Sequence, residues 1–227
     1  MSRLLKKIMA GDSLLILGFI VALFPFIALT AFNHPSADDF KQANYVARFG
    51  FWQTQADYYM TWFGRYFSMA LLSMNPLLSR AFLVYKFIPL ILFAGLFHAL
   101  YSLVRELAGT YFDKRKILMA ALALLVLYLG KMASVAQGFY WYPGGITYQA
   151  PNILIVYLCA CIIRMHRIQS RKQKILPMLL SVILILAIAG SNETSMLILL
   201  FLLLSILIWS LYSNRHVSWI LFTLVIM

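Results

Sequence analysis

Carboxylates are scarce in this chain: seven aspartates and glutamates stand against 19 lysines and arginines, and charged residues make up 11% of its 227 residues. Soluble domains carry roughly a quarter charged residues. A chain this poor in charge, 63% hydrophobic and with a mean hydropathy of +0.85, falls outside that class and reads as an integral membrane protein. Cysteine is nearly absent. Cys159 and Cys161 share one apolar run, and side chains two positions apart on a helix diverge by roughly 200°, which excludes a disulfide framework. His34, His98, His166 and His216 are scattered along the chain without metal-ligand spacing. A Walker loop, a dinucleotide fingerprint and an HExxH helix are all missing, so soluble-nucleotide chemistry has no visible seat.

What the chain has instead is a succession of apolar runs. Runs long enough for a bilayer lie at Leu14–Phe32, Ala81–Val104, Ile117–Ala136, Pro151–Met165, Leu176–Ala189 and Met196–Tyr212, and Val217–Met227 begins a further one. The expected fold is therefore all-α: a polytopic transmembrane bundle of about seven spans, forming one domain over residues 1–227. The unfinished last run suggests a chain truncated at its C-terminus. Leu14–Phe32 follows Arg3, Lys6 and Lys7 and has no convincing cleavage site after it, so it reads as an uncleaved signal anchor. Pro151–Met165 and Leu176–Ala189 are short, and need tilt or local bilayer thinning.

The net charge of +12 looks at first like a nucleic-acid signal, but its distribution says otherwise. If alternate connections share a side, thirteen cations between residues 3 and 215 gather on one side. Lys41, Arg48, Arg65 and Arg80 lie opposite, with Lys86 and Lys131 near outer span ends. The positive-inside rule puts the thirteen, and the N-terminus, in the cytoplasm. The charge is a topology signal, and no nucleic-acid partner follows from it. Gly64–Leu78 is apolar enough to be mistaken for a span. A full crossing there would move Lys114–Lys116 outside, and Asn75-Pro76 breaks its end, so a re-entrant or interfacial helix is expected.

With this topology the unusual polar clusters all fall on the outer face. The densest is the loop over residues 33–80, expected to carry amphipathic and re-entrant helices. Asp38 and Asp39 open it. An adjacent carboxylate pair suits proton abstraction or metal binding; Ser36-Ala37-Asp38-Asp39 equally fits a helix capping box. Arg65 can grip a phosphate in bidentate fashion, or pair with Asp57 or with lipid headgroups. Lys41 can neutralise a lipid phosphate or merely snorkel. Glu193, in Gly190-Ser191-Asn192-Glu193-Thr194, is an acid beside a span and so a candidate for function. The plain alternative is an exposed first-turn residue behind a cap from Ser191 or Asn192. Gln137–Gln149 reads as a shaped turn presenting Tyr140, Trp141, Tyr142 and Tyr148 beside Pro-Gly-Gly, a platform for a sugar or an isoprenoid. The competing reading is an ordinary interfacial aromatic belt.

The signal anchor followed by Asp38-Asp39 in the first outer loop resembles the GT-C superfamily of multi-pass membrane glycosyltransferases. Ala37-Asp38-Asp39-Phe40, Gly64-Arg65-Tyr66-Phe67-Ser68, Tyr140-Trp141-Tyr142 with Gly145 and Tyr148, and Gly190-Ser191-Asn192-Glu193 look like an uncharacterised bacterial family of that type. The resemblance implies sugar transfer from a polyprenyl-phosphate-linked donor to a hydroxyl of a glycan, lipid or protein acceptor, on the periplasmic face of a bacterial inner membrane. It implies Asp39, or else Asp38, as general base, with or without a divalent metal (Mg or Mn) held by the same pair. On charge and position, Arg65 would hold the donor phosphate and Glu193 would bind acceptor, metal or Arg65, while Tyr66, Lys41, the loop aromatics and Asn192 would contribute to substrate binding. Two other classes compete. A transporter or flippase for a lipid-linked substrate calls for ionisable residues deep in the spans and for internal repeats, and neither is evident. A non-catalytic membrane assembly protein would tolerate replacement of the loop acids.

Overall fold

The computed structural model describes residues 3–212, and every regular element among them is helical. In order these are α1 (Arg3–Leu29), α2 (Ala37–Phe49), α3 (Phe51–Thr61), α4 (Tyr66–Ser73), α5 (Phe82–Ala108), α6 (Lys114–Lys131), α7 (Tyr142–Gly144), α8 (Ala150–Arg167), α9 (Arg171–Ala189) and α10 (Glu193–Tyr212). Short 3₁₀ turns cover Thr30–Phe32 and Pro76–Ser79, and π-helical turns flank α7 at Ala136–Tyr140 and Gly145–Gln149.

Five helical stretches are long and apolar enough to cross a membrane: Gly11–Phe32, Phe82–Ala108, Tyr142–Arg167, Arg171–Ala189 and Glu193–Tyr212. Their outward surface fits that medium. Phe24, Ile183 and Phe201 are each more than 60% exposed, among many large apolar side chains that in water would form an untenable patch. Helix α6 is 18 residues long and carries Lys114, Arg115, Lys116 and Lys131 at its two ends, so it does not join those five. The run expected at Val217–Met227 lies outside the described residues.

Two spans that look short in the sequence are not short in space. The stretch expected as Pro151–Met165 is part of a 26-residue helical stack from Tyr142 to Arg167, because Gln137–Gln149 is not a loop but a series of helical and π-helical turns running into α8. The stretch expected as Leu176–Ala189 begins at Arg171, since α9 takes its basic flank into its first turn. By contrast α4 has eight residues, about 12 Å of helix, and cannot cross a bilayer.

Two apolar clusters hold the long helices. One joins α1, α5, α6 and the first π turn through Leu23, Leu96, Leu125, Leu129 and Phe139, with Phe93 stacked on Phe139 at 4.2 Å. The other joins α8, α9 and α10 through Leu158, Ile188, Leu199 and Leu203. A smaller one, Met69, Leu72, Tyr85 and Tyr142, seats α4 between α5 and α7. The reversal from α2 to α3 needs Gly50, whose φ of +78° disfavours any other residue.

Candidate functional site

The helices over residues 37–73 are held against the long ones by polar contacts made at chain reversals. Ser36 and Asp39 form the capping box that opens α2. The Ser36 amide donates to Asp39 Oδ2 at 2.7 Å and the Ser36 hydroxyl to the same oxygen at 3.2 Å. Tyr85 of α5 adds a third donor at 2.8 Å. Asn75 caps the Pro76–Ser79 turn by accepting from the Leu77 amide, and donates to the Asp39 carbonyl at 3.2 Å. Asp39 is fully buried, and its Oδ1 has no hydrogen-bond partner.

Glycine 190 makes the second junction. Its carbonyl accepts from the amides of Phe67 (2.7 Å) and Ser68 (3.3 Å), capping the start of α4, while Ser68 Oγ donates to the Ser191 carbonyl at 2.6 Å. The Tyr66 ring lies so near Gly190 that a Cβ there would stand 2.3 Å from it, and the Tyr66 hydroxyl reaches the Leu186 carbonyl at 2.6 Å. Buried Asn192 caps α10 by accepting from the Ser195 amide, and ties the corner to the π turn by donating to the Thr147 carbonyl at 2.6 Å.

Between these junctions lies a cavity of about 340 Å³. Its polar lining includes Asp38, Lys41, Gln42 and Arg65; its ring faces are Tyr58, Trp62, Phe63, Trp141 and Tyr148. Tyr58 stacks on Trp62 (5.5 Å) and on Phe63 (5.9 Å), which makes a continuous aromatic wall. The Lys41 ammonium sits 5.9 Å from the Trp62 ring and the Arg65 guanidinium 4.8 Å from Phe63, so both cations are held by π faces. Arg65 Nε and Nη2 donate to the Glu193 carboxylate at 2.5–3.1 Å. That fork raises the Arg65 pKa, against the opposing effect of burial, and Tyr148 adds to the rise. Tyr45 donates to Asp57, whose carboxylate pushes the Tyr45 phenol up.

The residues singled out in the sequence divide three ways. Asp38, Lys41, Arg65, Trp141 and Tyr148 line the one cavity. Glu193 does not line it but orients Arg65, so the alternative partner Asp57 is not the one Arg65 takes. The others serve the frame. Tyr66 and Asn192 fasten the corner as described, buried Tyr142 donates to the Leu71 carbonyl at 2.7 Å, and Tyr140 donates to Phe26 at 2.5 Å while its ring meets Phe93. Asp39, the favoured base on sequence grounds, is sealed under α2. Asp38, its neighbour, is exposed to the cavity.

Sequence reasoning passed over Trp62 and Phe63, at the end of α3 and just beyond it, and Tyr58. Their spacing at i, i+4 and i+5 was the available signal for a ring wall. A divalent metal finds little here. Among the described residues no three His, Cys, Asp or Glu side chains come together, and Asp39 Oδ2 is engaged by three donors. The pair Asp38-Asp39 does not fit a preformed cation site. Comparison with known protein families, curated proteins and solved structures returns no match.

Proposed function

We propose that this chain is a membrane glycosyltransferase of GT-C type, taking a sugar from a polyprenyl-phosphate donor to an acceptor hydroxyl. On this reading α6 is a further span, the bundle totals about seven, residues 33–80 lie on the periplasmic face and the N-terminus is cytoplasmic. The single observation that carries the reading is one cavity in which an exposed carboxylate, two cations and a wall of ring faces meet.

Each part has a chemical task. Asp38 takes the proton from the acceptor hydroxyl as that oxygen attacks the anomeric carbon. The bond from the anomeric carbon to the phosphate oxygen breaks, and prenyl phosphate leaves with both electrons. Arg65 and Lys41 stabilise the phosphate charge, as oriented cations do best in a site that excludes water. Trp62, Phe63 and Trp141 offer flat apolar faces to the sugar ring or the first isoprene units. Asp39 closes the capping box that starts α2, and no step is routed through a metal.

The test uses purified full-length protein in liposomes with a panel of radiolabelled short-chain prenyl-phosphate sugars and a mixture of glycan, lipid and peptide hydroxyl acceptors. Turnover to free prenyl phosphate is expected with at least one donor, and Asp38→Asn lowers it by about 10²–10⁴-fold, the range for a lost general base. Undiminished turnover in Asp38→Asn removes the base assignment; no turnover of any donor removes the transferase. The second reading, a non-catalytic assembly protein, is favoured by one specific observation. Asp39 and Glu193 both have structural partners, a capping box and a guanidinium. Failure of the whole panel selects that reading.

A further inference from the structure

A second cavity, of about 740 Å³, opens where the C-terminal ends of α5 and α8 meet the start of α9. Tyr85, beside Asp39, and Arg105 are separated on α5 by about 30 Å at 1.5 Å per residue, and Ala189 and Lys172 on α9 by about 26 Å. The two cavities are therefore spaced by roughly the hydrocarbon thickness of a bilayer. The far one is lined by Arg105, Glu106, Arg164, Arg167, Lys172 and Leu176, among others, from α5, α8 and α9.

Its charge is unbalanced. Glu106 is taken by Arg105 at 3.0 Å, and among the described residues Arg164, Arg167 and Lys172 have no carboxylate within 4 Å. Four cations against one carboxylate leave a formal surplus of three. Arg167 Nη2 donates to the Leu107 carbonyl at 3.1 Å, fixing that side chain across the α5–α8 gap. Helix α9 starts in the same cleft with no side-chain cap on its first turn, so its leading amides add donors to the cations. Apolar surface continues directly from the cleft. Leu176, Leu179, Ile183 and Leu186 are each more than half exposed, and at i, i+3, i+7 and i+10 they form one stripe along α9.

The geometry points to a binding site for the headgroup of an anionic phospholipid, its phosphodiester in the Arg164–Arg167–Lys172 cleft and an acyl chain along the α9 stripe. A free phosphate would use the cations and leave the stripe without a role, whereas a zwitterionic lipid would use the stripe and bring a like charge to the cations. The volume and the surplus of three suit a headgroup with two phosphodiesters, so diphosphatidylglycerol is the tightest expected ligand. This site stands independently of the transferase reading.

Native mass spectrometry of the full chain, delipidated and then titrated with diphosphatidylglycerol or phosphatidylcholine, tests it. Arg164→Gln/Lys172→Gln removes two cations that hold no other described residue in place. It is expected to weaken diphosphatidylglycerol binding at least tenfold, since each basic residue near an anionic headgroup contributes about fivefold. Lys114→Gln/Lys116→Gln, the same loss of charge outside the cleft, leaves binding within about twofold. Equal affinity for phosphatidylcholine, equal loss in both double variants, or displacement of the lipid by millimolar inorganic phosphate would each overturn the proposal. Thermal unfolding without lipid checks that both variants are folded.

Discussion

Two helix starts in this protein carry an acid in the first turn behind a polar cap, and they behave differently. At α2, Ser36 and Asp39 cap each other while Tyr85 closes over the carboxylate, and nothing of Asp39 reaches solvent. At α10, buried Asn192 does the capping, and Glu193 stays exposed and reaches across to Arg65. Local sequence is similar at both: a hydroxyl or amide residue, then an acid within three positions. What differs is the neighbour. Tyr85 of α5 and the turn over residues 75–79 close over the first start, whereas the second stands at the open edge of the corner. Burial turns one acid into a fastening, and exposure leaves the other to orient a cation.

The largest effect that sharpens this contrast is inside the α2 start itself. Asp38 and Asp39 are adjacent, yet Asp38→Asn is expected to lower transfer by about 10²-fold or more without shifting the unfolding transition, as donor turnover and thermal unfolding of the same preparation will show. Asp39→Ala acts on the frame. It strips buried Tyr85 and the part-buried Ser36 donors of their acceptor, and a loss of about 2–4 kcal/mol is expected, read by denaturant unfolding in detergent. Next comes the corner against which α4 is capped. Gly190→Ala drives a methyl into the Tyr66 ring, and overpacking of this kind costs about 1–3 kcal/mol. A larger loss of activity than of stability in that variant would show that α4 sets the cavity's shape. Glu193→Gln is the smallest. An exposed ion pair contributes about 0–1 kcal/mol, so stability should hardly change, while a freed Arg65 should alter KM for donor more than kcat. An Asp39-sized loss of stability there would erase the contrast between the two starts.

The membrane character and most helices were legible, because long apolar runs report directly on a bilayer. The capping box at Ser36–Asp39 was legible for local reasons, since cap and acid lie within a few residues; amphipathic helices at Phe40–Phe49 and Thr54–Phe63 were expected from the family resemblance and stand close to the observed α2 and α3. Other features depended on contacts distant in sequence. Tyr85 covering Asp39 joins residues 46 apart, and Arg65 meeting Glu193 joins residues 128 apart. Charge and position already offered Arg65 as one partner for Glu193, but nothing local announces Tyr85, so Asp39 was favoured over Asp38 as the base. The Tyr-Trp-Tyr-Pro-Gly-Gly stretch misled in the other direction. Its proline and glycines read as a turn, but Pro143 sits in the first turn of α7, where a missing N–H costs nothing. Gly144 and Gly145 fit against Gln137 and Leu92, where a Cβ would collide.

The account rests on two neighbouring aspartates doing different things, so its most direct test compares Asp38→Asn with Asp39→Asn in one liposome assay, with unfolding followed alongside. The expected result is a folded Asp38→Asn protein whose prenyl-phosphate release falls by about 10²-fold or more, beside an Asp39→Asn protein that unfolds more easily and retains turnover in proportion to its folded fraction. Full turnover by Asp38→Asn, or its loss in a fully folded Asp39→Asn, would contradict the assignment.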